Sequence, residues 1–289
     1  MKTILPTHKI HYRLCIIILF VSVVIVGCRK EEKLPKQLIA VDGKVEEGDF
    51  PFVSLTGSTD YVSVIDSSVY FDVVMTKAKI TVWTDDESEV LILFRDNNYF
   101  PQNFYRANQM RGKAGKTYHL EIILNGDTIT SQTTIPPHIP LQTIRFEHDK
   151  SDTSKGFIWI GFNDPADQKN YYRAFTKIYG VQKQFTATHI SVLDDKSFNG
   201  KYIEYPLYKG LNTNTDKTID FRFRSGDTVD VKFCTMDKAS FDFWTGYERE
   251  MLNAGNPFGA EGQNLKSNIN GGIGVWSGYG VSLYQVITK

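Results

Sequence analysis

Apolar and polar residues alternate along most of this chain, a period that belongs to strands and not to helices. Tyr118, Leu120, Ile122 and Leu124 face one way with His119 and Glu121 facing the other, which predicts a half-buried strand. Asn125-Gly126-Asp127 then supplies residues that tolerate positive φ, so a tight hairpin should return the chain as Thr128 to Ile135. The same pattern predicts strands at Leu38 to Val45, Pro51 to Thr56, Val69 to Val74, Ala78 to Thr84 and Glu89 to Phe94. Pro136-Pro137-His138-Ile139-Pro140 cannot pair in a central strand, because three prolines remove three backbone donors, and a domain boundary is placed there.

Beyond that boundary the pattern predicts strands at Leu141 to Phe146, Gly156 to Asn163, Tyr171 to Tyr179, Tyr202 to Leu207, Thr218 to Phe223 and Asp227 to Thr235. Gly156 to Asn163 is apolar on both faces, as expected of a central strand covered on both sides. In the last of the six, Val229, Val231 and Phe233 share a face and leave Cys234 on the other. Then the period changes. Asp237 is placed to cap a helix, and Phe241, Trp244, Glu248 and Met251 fall at helical spacing until Gly255 and Pro257 end it. An aromatic stripe on a single helix in a β domain most simply covers a sheet. Gly271 to Ile287 closes the chain as a glycine-rich strand, the glycines implying close backbone approach or a bulge. The expected class is all-β: two consecutive β-sandwich-like domains, 38–137 (immunoglobulin- or fibronectin-like) and 138–289, with a short helix near 237–253 in the second.

The first 37 residues read differently. Lys2, Lys9 and Arg13 precede the uncharged apolar run Leu14 to Val26, which at thirteen residues is short for a membrane span. It ends in Ile25-Val26-Gly27-Cys28. A thiol at that place can take a diacylglyceryl group by thioether formation, after which cleavage between Gly27 and Cys28 would free an amine for an N-acyl chain such as palmitate. The pattern resembles the lipobox of bacterial lipoproteins, with Ile25 and Val26 where Leu and a small residue are usual. Residues 1–27 are therefore expected to be a signal peptide and 28–37 a flexible acylated tether; an uncleaved anchor is the competing reading. Lys30-Glu31-Glu32 is either a surface-export signal or a solvated stretch of the tether.

Charge and cysteine count fit an envelope protein. The first 27 residues hold three basic and no acidic side chains, so the remainder carries 30 Lys plus Arg against 33 Asp plus Glu, which gives no electrostatic reason to bind nucleic acid. Cys15 leaves with the signal and Cys28 is alkylated, so Cys234 has no partner for an internal disulfide.

Certain residues recur in a telling order: Pro51 to Leu55, Gly115-Lys116-Thr117-Tyr118, Thr134-Ile135-Pro136-Pro137, Asn163-Asp164-Pro165, Asn170-Tyr171-Tyr172-Arg173 and Phe198-Asn199-Gly200. Ser225-Gly226-Asp227-Thr228-Val229, Asp237 to Tyr247, Asn256-Pro257-Phe258 and Asn268-Ile269-Asn270-Gly271-Gly272 continue it. In this order they resemble the lipoprotein family called domain of unknown function 4249, found in the Bacteroidota. The resemblance implies an outer-membrane lipoprotein, often encoded near a TonB-dependent receptor, without established enzymatic activity, and it carries over no catalytic residues.

The sequence carries no recognisable catalytic centre, metal site or cofactor motif. His119, His138, His148 and His189 are scattered, and Gly271-Gly272-Ile273-Gly274 lacks the strand-then-helix setting of a nucleotide loop. Asp85-Asp86-Glu87 and Asp194-Asp195 read as turn acids, although a hydrolytic pair is set by distances in space. Asn163-Asp164-Pro165-Ala166-Asp167 is a turn signal before it is a calcium loop. Three readings follow: an outer-membrane lipoprotein facing the exterior that helps a TonB-dependent transporter capture a ligand; a free-standing glycan or peptide binder stacking its ligand on Trp159, Trp244 or Trp276; or a hydrolase with an unrecognised acid pair. The periplasmic face is the alternative location. Trp276-Ser277-Gly278-Tyr279 offers the best candidate platform in Trp276 and Tyr279, weighed against ordinary core packing.

Overall fold

A computed structural model describes residues 38–57, 73–210, 219–253 and 265–289. In chain order its elements are β1 (Ile39–Glu46), β2 (Phe52–Gly57), β3 (Lys79–Trp83), β4 (Ser88–Val90), β5 (Ile92–Arg95), β6 (Asn103–Arg106), β7 (Thr117–Leu124) and β8 (Asp127–Thr134). There follow β9 (Leu141–His148), β10 (Lys155–Asn163), β11 (Tyr171–Ile178), β12 (Thr186–Asp194), β13 (Tyr202–Leu207), β14 (Phe223–Arg224), β15 (Thr228–Met236), the helix α1 (Lys238–Asn253) and β16 (Ile273–Ile287). The class is all-β, as the alternation predicts. Of the expected Val69 to Val74 strand, residues 69–72 lie outside the described residues, and Val74 makes an isolated bridge to Thr56.

One sheet of eight strands, ordered β12-β11-β15-β16-β1-β2-β6-β5, spans the molecule. Its middle strand explains the arrangement. The first half of β16 runs parallel to β1, Ala40 opposite Ile273 through Glu46 opposite Tyr279, while its second half pairs antiparallel with β15 from Tyr279 opposite Met236 onward. Two four-stranded sheets pack against the same side: β4-β3-β7-β8 over one end, and β9, β10, β13 and β14 over the other. Each closes its own core. Val41, Val53, Ile80, Leu120, Ile122, Ile129 and Trp276 fill the first; Ile158, Ile160, Phe162, Tyr172, Val231 and Phe233 fill the second. Each such side chain contributes about 1.5–3 kcal/mol when fully buried.

The described residues from Leu38 onward thus form one compact unit with two large cores and a smaller cluster of Cys234, Met236 and Tyr279, where two consecutive domains are predicted. The reason is that β16 returns from the far end of the sequence to pair with the first strand. Pro136 to Pro140 is the passage from one core to the other, and it lies against β15 and β16: the Thr235 hydroxyl of β15 donates to the carbonyl of Pro137 at 3.0 Å. A Cβ on Gly280 would sit 2.2 Å from the Pro136 carbonyl oxygen, and one on Gly278 2.7 Å from that of Thr134. The glycines of the last strand permit this close approach.

Local chemistry accounts for the best-predicted element. Asn125 and Gly126 both take positive φ, 53° and 86°, and close the two-residue β7–β8 hairpin in the left-handed geometry that such turns require. β10 is laterally central, between β9 and β13, but its cover is uneven. Ile158, Ile160 and Phe162 are fully buried; on the other side Phe157 meets the edge of Tyr208, and Trp159 is half-covered by the Arg145 guanidinium 5.6 Å from its ring. Of the expected Thr218 to Phe223 strand, residue 218 lies outside the described residues, and of the rest only Phe223 is in a strand, the two-residue β14. β12 does not show in the pattern, because a bulge at Ile190, with φ 57°, breaks its alternation.

Candidate functional site

Strand alternation places one row of side chains on the face of the eight-stranded sheet that points away from both cores: Asp42, Lys44 and Glu46 on β1, Ser277 and Tyr279 on β16, Lys232 and Cys234 on β15, Arg173 and Phe175 on β11. The helix α1 covers part of this row. Asp237 starts it as the pattern predicts, its Oδ1 accepting from the Ser240 backbone N–H at 2.8 Å. Its other oxygen accepts from the Thr133 hydroxyl at 2.6 Å and the Thr134 N–H at 3.2 Å, so one carboxylate caps the helix and ties it to β8.

Under the helix lies a network of charge and aromatic rings. Arg173, 6% exposed, has its guanidinium 3.5 Å from the Trp244 ring centroid and 4.8 Å from that of Phe175. It donates to the Tyr279 hydroxyl at 3.0 Å and the Ser191 hydroxyl at 3.2 Å. Ser191 in turn donates its backbone N–H and its hydroxyl to Glu248. Trp244 donates its indole N–H to Ser277 at 3.2 Å, and Phe241 packs on Tyr171. The predicted stripe therefore holds for Phe241, Trp244 and Glu248 and fails at Met251, which is 57% exposed.

A second buried group ties β1 to β15. Lys232 donates to both Glu46 carboxylate oxygens, at 2.7 and 2.9 Å, and Lys44 reaches one of them at 2.6 Å. Burial opposes the charge on Glu46, but the two ammonium groups outweigh it and hold the carboxyl at about 2. Burial, with Lys44 nearby, lowers Lys232 from the usual lysine range. Burial also pushes the Cys234 thiol up to about 12, which leaves it protonated and unreactive.

Beside this network a groove of about 690 Å³ opens between α1 and the parallel start of β1 and β16. Phe243, Trp244 and Tyr247 form its wall, Ala40, Asp42, Ile273 and Val275 its floor, and Leu265 and Ser267 its rim. Gly274, φ +113°, stands where a Cβ would lie 2.0 Å from the Val41 carbonyl oxygen, so the floor admits only glycine there. Asp42 is the one charged side chain of the lining, and it is exposed. Such a surface can seat an apolar or aromatic body and accept one hydrogen bond from it.

The predicted site residues divide. Gly27, Cys28, Lys30, Glu31 and Glu32 lie outside the described residues. Trp276 and Tyr279 are no exposed platform, with 0% and 2% of their surface accessible. Alternation turns Trp276 inward opposite Gly43, where its indole N–H donates to the Tyr118 carbonyl at 3.0 Å, and α1 with its Arg173 network hides Tyr279. Trp244 does line a groove, with one ring face given to Arg173. Asp86 and Glu87 pair with Lys116 and Lys113, and Asp195 accepts from the Asn170 backbone. Asp164 is buried, accepting from the Tyr172 hydroxyl and the Gly200 N–H, which makes the Asn163 to Asp167 turn a structural clamp. No cluster of three potential metal ligands occurs among the described residues. Asp42, Phe243 and Tyr247 gave no signal of their own in the sequence, since a groove depends on how the helix sits.

Two cores under one eight-stranded sheet, with α1 the one named helix among the described residues and lying over the sheet's outer face, define an all-β protein. The chain belongs to the family described as Domain of unknown function (DUF4249), whose model matches residues 29–285. Comparison with curated proteins gives no match. Among the described residues no helix is long and apolar enough to cross a membrane.

Proposed function

We propose that this protein is a non-enzymatic outer-membrane lipoprotein of the Bacteroidota type, anchored through acylated Cys28 and facing the exterior. In this reading it serves as an accessory of a TonB-dependent transporter and helps capture its ligand, with the α1 groove as the docking place. One observation carries the reading: the groove is apolar and aromatic, and its floor begins at Ala40, twelve residues after Cys28. A fully extended chain of that length reaches roughly 40 Å, so an anchored molecule would keep this groove close to the bilayer and to any protein embedded in it. A contiguous apolar surface of this kind marks interaction sites on soluble domains.

Two measurements test it. Cys28→Ala should abolish labelling by a fatty-acid probe; labelling that survives would remove the anchor. A photo-crosslinking residue at position 247, activated in intact cells, should capture a β-barrel membrane protein, and capture should fall when Phe243 is replaced by Asp. Crosslinks absent in repeated trials, or unchanged by Phe243→Asp, would overturn the transporter reading.

A further inference from the structure

While α1 roofs the outer face of the large sheet, the outer face of β4-β3-β7-β8 carries a second and different concavity. Alternation places Trp83, His119 and Gln132 in one row across this face and Thr81, Glu121 and Thr130 in the next. The Trp83 indole and His119 imidazole lie nearly parallel, centroids 5.3 Å apart and planes 18° from one another, so each ring braces the other. Beside them opens a hollow of about 700 Å³, closed at its far end by Asp237, Ala239, Asn268 and Asn270.

Its chemistry excludes several ligand classes. No lysine or arginine lines it, so a phosphate or carboxylate would find neither an ammonium nor a guanidinium fork, only the His119 imidazole that is stacked on Trp83. Its one carboxylate, Asp237, is committed to the helix cap and to Thr133, which leaves none for a cation. Asn268 is also committed: its amide donates to the Trp276 carbonyl at 2.8 Å and accepts from the Trp276 N–H at 2.9 Å. What remains is an aromatic plate with short neutral hydrogen-bonding groups beside it, chiefly Gln132, Thr130 and Asn270. A sugar ring matches both halves of that surface. Its C–H face is apolar and its hydroxyls both donate and accept, as amides do.

We infer that this hollow is a binding site for a neutral saccharide, with Trp83 as the stacking platform, His119 as its brace and Gln132 and Asn270 as the groups that read hydroxyls. The site stands on its own geometry and is separate from the α1 groove, so it survives if the transporter reading fails.

The test is calorimetric titration of the full-length acylated protein in detergent with neutral gluco-, manno-, galacto- and xylo-oligosaccharides, and with uronic-acid and sulfated oligomers for comparison. At least one neutral oligosaccharide should bind. Trp83→Ala should weaken that binding by about tenfold or more, equivalent to about 1.4 kcal/mol. Gln132→Ala, at an exposed position that the fold does not depend on, should weaken it by about threefold. Tyr247→Ala, in the other groove, should leave it unchanged, and a thermal melt confirms that each variant is folded. The inference is overturned if no neutral oligosaccharide binds, if only the charged ones do, or if folded Trp83→Ala and Gln132→Ala both bind as the parent does. Binding lost in Tyr247→Ala alone would move the site to the α1 groove and overturn it as well.

Discussion

Trp83 and Trp276 sit on two sheets of the same sandwich and have opposite fates. Trp276 points into the core, fully buried against Tyr118, and Gly43 opposite it leaves room for the ring: a Cβ there would lie 2.7 Å from the indole. Trp83 ends β3 on the side away from Ile80 and Val82, half-buried and stacked on His119. Residue type does not separate these two. Parity along the strand and the size of the facing residue do, and the consequence is that one indole fills the core while the other lies on the outward face beside the hollow. Replacing each by Ala should expose the difference at its largest. Trp276→Ala opens a cavity and leaves the Tyr118 carbonyl without its donor, so it should cost about 5 kcal/mol, whereas Trp83→Ala should cost about 1 kcal/mol or less. Urea midpoints at constant m value measure both; equal costs would mean that Trp83 belongs to the core.

The same contrast holds for charge. Arg145, Glu147 and Glu204 pair on an exposed surface, where ion pairs contribute about 0–1 kcal/mol. Glu46 pairs with Lys232 where the side chains are only 9% and 5% exposed. Glu46→Ala leaves Lys232 buried without its anion and should cost about 3 kcal/mol, well above Glu204→Ala. The pH dependence follows the same group. Its carboxyl sits at about 2 in the folded protein, below its ordinary 4.5, so its stabilisation is complete above about 4.5 and is lost as pH falls through about 2. Denaturation curves from pH 7 down to pH 2 should show that loss in the parent and a shallower one in Glu46→Gln. Parallel curves would contradict the pairing.

Much of this fold is legible in the alternation alone, because a period of two tells which side of a strand is apolar. The β7–β8 hairpin, the capped helix and the inward run Val229, Val231 and Phe233 all follow from neighbours in sequence. What does not follow is which strand lies next to which. The pairing of β16 with β1 joins residues more than two hundred positions apart, and it turns two expected domains into one body. It also decides the fate of the candidate platform. Trp276 beside glycines looks exposed to a reader of composition; only the register, with Gly43 opposite, shows that the glycines accommodate backbone and ring in a packed centre. Trp83 lies in the predicted strand Ala78 to Thr84 but is not singled out by the sequence, because its setting depends on His119 standing beside it on β7, and sequence spacing does not reveal that neighbour.

Between the roofed face and the open one stands Asp237, which belongs to both. One oxygen caps α1, the other is held by Thr133 and Thr134 of β8. Asp237→Ala should cost about 2 kcal/mol, the upper range for a cap because two further donors lose their acceptor. Asp237→Asn keeps a capping oxygen and should recover part of it. If Thr133→Val costs as much as Asp237→Ala, the tie between helix and sheet, not the cap, is the main contribution.

The smallest effect is expected where the pattern and the structure part company. Met251 falls in the apolar stripe of α1 by spacing but is 57% exposed, while Glu248, one turn earlier, holds the Ser191 backbone and hydroxyl. A stripe defined by packing would make Met251→Lys costly and Glu248→Ala mild; the structure requires the reverse. Met251→Lys should change stability by less than about 0.5 kcal/mol, as exposed substitutions do, and Glu248→Ala should cost about 1–2 kcal/mol by stranding the groups that orient Arg173. Thermal melts of the two variants measured side by side decide it. A larger loss in Met251→Lys would mean that the last turn of the helix is covered in the protein and that the roof extends farther along the sheet than Glu248.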